Sequence, residues 1–91
     1  MNKTRRKEIE REIANLETIV SDIEDIRNNL EELRDDEEMS FDNLPEGLQD
    51  SDRGCDMQEN IDTIDDVVNT LDEKREEIEE LIDSLREVVE R

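Results

Sequence analysis

The chain has 91 residues, 31 acids against 12 bases for a net charge of −19, and is 47% charged and 31% hydrophobic. A chain this short makes one small domain without room for a deep internal pocket. Its charge lacks the basic footprint that free nucleic acid or an anionic membrane surface requires; the natural counterpart is a basic protein surface, and the plainer consequence is solubility.

The N-terminal tip is the exception in charge. Residues 1–11 hold Lys3, Arg5, Arg6, Lys7 and Arg11 against Glu8 and Glu10, a net +3. Residues 12–40, 41–56 and 57–91 carry −9, −4 and −9. A first helix is expected over about 3–40, a stretch without Pro or Gly. Ile9, Leu16, Ile23 and Leu30 recur every seven residues, Ile19, Ile26 and Leu33 follow three later, and Ile13 and Val20 widen the stripe. Asn2 or Thr4 can cap its start. Bases in a first turn oppose the helix dipole, and pairing of this tip with Glu87 and Glu90 on an antiparallel second helix is the expected compensation.

Next comes a corner over 41–52, within "SFDNLPEGLQDSDRG" (residues 40–54), which contains the only Pro, both Gly residues and the only aromatic, Phe41. Asn43, Pro45 and Glu46 read as the start of a short corner helix through "PEGLQ", weakened by Gly47. Ser51 is a second good cap, from which the next helix can start. Phe41, Leu44 and Leu48 either plug the end of a helical hairpin or form an apolar anchor inside an acidic rim. Gly54 falls on the apolar seam of the second helix, where close approach of the other helix would explain it. Arg53 is placed to pair with Glu37 or Glu38 or to reach a partner.

The second helix is expected over about 53–90. Ile61, Val68, Ile82 and Val89 form one heptad line, interrupted by Arg75; Met57, Ile64, Leu71, Ile78 and Leu85 form the other, with Val67, Leu81 and Val88 on the flank. Arg75 is expected to snorkel or to pair with Glu24 or Asp22, helping to set register or association state. The expected fold is all-α: a long antiparallel helical hairpin in a single domain, 1–91. Each stripe is too wide for one neighbour, so a homodimer closing into a four-helix bundle is expected.

"FDNLPEGLQDSDRG" followed by "MQENIDTIDDVVNTLDE" resembles a group of small uncharacterised acidic helical proteins of Gram-positive bacteria and their phages. Those share an F/Y-DN-x-P-x-x-LQ-x-S-x-RG segment before an acidic helix. The resemblance spans residues 37–73, with Asn43, Pro45, Leu48 and Gln49 matching most closely, then Ser51, Arg53 and Gly54. It implies no activity; it implies that the corner is more than filler and that the origin is a phage or mobile element.

The chemistry of catalysis is not encoded in any recognisable pattern. With no histidine, a catalytic triad or His-based metal site is not expected. Cys55 has no imidazole partner and reads as a half-buried, inert thiol. Asp50, Asp52 and Asp56 have calcium-like spacing, but Gly54 and Ile61 sit where the loop template needs other placements. No cofactor or metal is expected, and the chain is not expected to be an enzyme. A single cysteine and the absence of an apolar leader or spanning stretch fit a cytoplasmic setting.

The leading expectation is therefore a non-enzymatic, acidic protein-binding module, an inhibitor or regulator that imitates a DNA backbone and occupies a basic groove on a partner. Its candidate contacts are Asp35, Asp36, Glu37, Glu38, Asp62, Asp65 and Asp66, together with Phe41, Leu44, Leu48 and Arg53. The alternative is a structural or assembly role as a dimeric helical spacer.

Overall fold

The computed structural model describes all 91 residues. It holds two helices, α1 (Lys3–Asp42) and α2 (Asp52–Glu90), and no strand. Both match the expected bounds to within two residues. Neither is long and apolar enough to cross a membrane. The chain folds into two compact units: unit one is Met1–Asp25 with Leu71–Arg91, and unit two is Ile26–Thr70.

In unit one the start of α1 pairs antiparallel with the end of α2. Glu17 meets Arg86 at 3.2 Å, and Glu24, further along α1, meets Arg75, further back on α2, at 3.7 Å. Ile13 and Ile82 are buried, with Ile9, Leu16, Val20, Ile23, Ile78 and Leu85 half-buried beside them. Arg75 also meets Glu79 at 3.2 Å, so a cation interrupting an apolar seam is held by one carboxylate on each helix. The start of α1 is capped by Asn2, whose Oδ1 accepts from the Arg5 amide at 2.8 Å. The expected pairing of the basic tip with Glu87 and Glu90 is not made. Glu87 meets Arg91 instead, at 3.9 Å, and Lys3, Arg5, Arg6, Lys7 and Arg11 form no ion pair. An i,i+4 partner on the same helix needs no bridging across the gap between helices.

In unit two the end of α1 pairs antiparallel with the start of α2. Gly54, Met57, Ile61 and Val68 are buried; Leu30, Phe41, Leu44 and Ile64 are half-buried. The corner helix predicted through "PEGLQ" does not form. Residues 43–51 make consecutive turns, with the Leu48 amide donating to the Pro45 carbonyl at 3.0 Å and the Ser51 amide to Leu48 at 3.1 Å. Gly47 decides this. Its φ of +89° belongs to the third position of a turn and not to a right-handed helix. Asn43 accordingly ends α1, its amide donating to the Met39 carbonyl at 3.0 Å, and caps no new helix. The Phe41 carbonyl, past the last helical acceptor, takes the Leu44 amide at 3.1 Å and the Gln49 side chain, which reaches back to it at 3.4 Å.

Ser51 is the cap of α2. Its Oγ accepts from the Gly54 amide at 3.3 Å and donates to the Leu48 carbonyl, and its own carbonyl takes the first helical bond, from the Cys55 amide at 2.9 Å. The glycine at position 54 has a different neighbour from the one expected. A β-carbon there would stand 2.6 Å from the Gln49 carbonyl carbon and 2.7 Å from the Leu48 oxygen. The close approach is by the corner's own backbone, and α1 is not what crowds it. Cys55, next to it, is exposed and not half-buried; the corner folds over the Gly54 side of the helix and leaves the thiol in solvent.

Candidate functional site

Every residue proposed for partner contact lies in unit two. The unit carries fifteen acids against three bases, a net −12. Its geometry separates the acids into those already engaged and those left open.

Arg34 is the organising cation. It donates to Asp65 across the helix pair at 2.5 Å and to Asp35 on its own helix at 2.8 Å, with Glu31 at 3.8 Å. The hydrogen bond to Asp65, then that to Asp35, pushes the guanidinium pKa above its ordinary value. Asp35 and Asp65 are therefore internal partners of a charged arginine. Glu37 accepts from Asn60 at 3.4 Å across the same pairing, and Asp62 accepts from Gln58 at 3.1 Å. Asp36, Glu38 and Asp66 are exposed and make neither a hydrogen bond nor an ion pair through their carboxylates. Arg34 and Asn60 thus brace the two helices, and the free carboxylates project from a braced frame.

The apolar residues of the corner also divide. Phe41 and Leu44 are half-buried, in keeping with a plug, while Leu48 is 49% exposed. Arg53 is exposed and makes no pair with Glu37 or Glu38. Two residues at this surface escaped the sequence reading. Met39 is 62% exposed beside the acidic run. Arg34 sits four residues after Leu30, at the edge of the apolar stripe, and one base among many acids on that edge is the only signal the sequence offers for it.

A shallow groove of about 430 Å³ lies in unit one, between Glu17, Val20 and Glu24 of α1 and Ile82 and Arg86 of α2. It is open, contains none of the candidate contact residues, and joins carboxylates and the Ser21 hydroxyl to a single arginine. No group of three or more His, Cys, Asp or Glu side chains has the arrangement to hold a metal ion. Comparison with protein-family models, with curated proteins and with solved structures gives no match to this chain.

Proposed function

We propose that the chain is an acidic protein-binding module, an inhibitor or regulator, whose unit two occupies a basic, nucleic-acid-binding surface on a partner protein. The observation that carries this reading is the open carboxylates of unit two, Asp36, Glu38 and Asp66 among them: exposed and unpaired, on a frame whose Arg34 is spent on Asp35 and Asp65. A carboxylate with no internal partner loses nothing within its own chain when it meets a foreign cation. Helix turns present acids about every 5.4 Å on each helix, against about 3.4 Å between phosphates of one DNA strand, so two paired helices offer a loose imitation of a nucleic-acid backbone. Leu48 and Met39 supply apolar contact at the edge of the acidic surface.

The test is capture of DNA-binding proteins from a bacterial lysate on immobilised chain at about 0.1 M salt, followed by competition with duplex DNA. A partner displaced by DNA, and lost when Asp36, Glu38 and Asp66 are changed together to Lys, is the expected result. Binding that survives this reversal overturns the reading. The second reading, a dimeric helical spacer in a larger assembly, is favoured by a different observation, the apolar residues left exposed on both helices; capture resistant to salt and to the charge reversal is its signature.

A further inference from the structure

The groove of unit one does not end at its first opening of about 430 Å³. A second cavity of about 360 Å³ lies beside it, lined by Glu10, Ile13, Arg86, Val89 and Glu90, and Arg86 borders both. The lining repeats in layers along one flank of the helix pair. Ile13 with Val89 and Val20 with Ile82 make two apolar layers, seven residues apart on each helix. Ile13 and Ile82 are buried and the two valines half-buried, so the floor is apolar and shallow. Glu17 and Arg86, joined at 3.2 Å, make the polar layer between. Carboxylates close both ends, Glu10 and Glu90 at one and Glu24 and Glu79 at the other. With Asp83, six carboxylates line the groove against a single guanidinium. Arg86 serves Glu17 and Asp83, and Arg75 serves Glu24 and Glu79. Glu10 and Glu90 are exposed and serve no cation.

We propose that this groove seats a basic amphipathic helix of a partner protein, with apolar side chains seven residues apart and Lys or Arg between and beyond them. Layer spacing selects a helix. Seven residues of α-helix rise about 10.5 Å, so a third helix laid along the pair meets both apolar layers with one face. An extended strand covers that distance in about three residues, and residues three apart on a strand point to opposite sides. Charge selects a basic helix. A neutral or acidic one covers Glu10 and Glu90 without a counter-charge, whereas Lys or Arg beyond each apolar residue meets a carboxylate at either end. The floor sets the register and the rim supplies the attraction, so the complex weakens with salt. The groove shares no residue with the acidic surface of unit two, so this site stands or falls independently of the function proposed above.

The probe is a fluorescein-labelled synthetic helical peptide with leucines seven residues apart and lysines between and beyond them. Its anisotropy is followed as full-length chain is added at about 0.1 M salt. Saturable binding with a Kd below about 100 μM is expected. Changing Glu10→Lys and Glu90→Lys together, at two exposed positions without partners, weakens it about tenfold while helical circular dichroism is kept. Arg86→Gln releases the Glu17 carboxylate and tightens binding about threefold. Changing Asp36, Glu38 and Asp66 to Lys removes more charge, but from unit two, and leaves the Kd within about threefold. A peptide with serines in place of the leucines binds about tenfold more weakly. No saturation by about 200 μM chain overturns the proposal. So does equal binding of the serine peptide, which would make the rim a general attractor of polycations, and so does a unit-two reversal that weakens binding as much as the change at Glu10 and Glu90.

Discussion

Gly54→Ala tests the packing of the corner against the start of α2. In an open helix this change is stabilising, by about 0.8–1 kcal/mol, because alanine loses less backbone freedom on folding. Here the new methyl meets backbone atoms of Leu48 and Gln49 at 2.7 and 2.6 Å, and no flexible side-chain end is available to give way. The corner has to move. Overpacking of this kind costs about 1–3 kcal/mol. Moving Leu48 also disturbs Ser51, whose hydroxyl joins the Leu48 carbonyl to the Gly54 amide, and a lost cap costs about 1 kcal/mol more. The penalties exceed the propensity gain, so a net loss of about 1–3 kcal/mol is expected. At about 4–8 °C per kcal/mol for a domain near this size, the melting temperature falls by at least about 4 °C. Thermal and urea melts followed at 222 nm, at one fixed chain concentration, measure it. Gly47→Ala is the comparison: nothing lies within 4 Å, and its φ of +89° alone gives a loss of about 1–2 kcal/mol. A Gly54→Ala chain that melts at or above the wild type would refute the close approach.

Other expectations follow from neighbouring residues with opposite environments. Ile82→Ala, at a site 4% exposed, loses about 2–5 kcal/mol, whereas Leu81→Ala, 57% exposed, loses under about 1 kcal/mol in single chains; urea denaturation at low chain concentration separates them. Ser51→Ala removes the α2 cap and lowers stability by about 1 kcal/mol in the same assay. Arg75→Leu exchanges pairs with Glu24 and Glu79 for apolar burial in the seam; the melting temperature rises and association becomes less uniform by sedimentation, and a change in neither removes Arg75 from any role in register. Raising salt from about 0.02 to about 0.5 M raises the melting temperature, because screening relieves the self-repulsion of a −19 chain more than it weakens exposed pairs worth about 0–1 kcal/mol each. A fall would mean that the ion pairs outweigh the repulsion.

What the sequence alone determined was helix existence and extent. Apolar spacing needs no tertiary information to be read, and Asn2 and Ser51 cap through bonds to amides three residues away. Local interactions of this kind are legible one stretch at a time. The presence of acids near the corner was equally legible, since all of the candidate contacts lie within the 45 residues around it. The tertiary structure decided everything that depended on a choice between neighbours. The α1 stripe was three positions wide, but one facing helix covers only part of that arc. Packing took Ile13, Leu16, Val20 and Ile23 and left Ile19, Ile26 and Leu33 in solvent. Spacing shows that Gly54 meets something; only the folded corner shows that it is the backbone of Leu48 and Gln49. Composition counts the carboxylates, and only the folded structure separates Asp35 and Asp65, which brace the fold through Arg34, from candidate contacts such as Asp36, Glu38 and Asp66, which remain free. Charge is summed along a chain, but pairing depends on distances of a few ångströms between residues far apart in sequence.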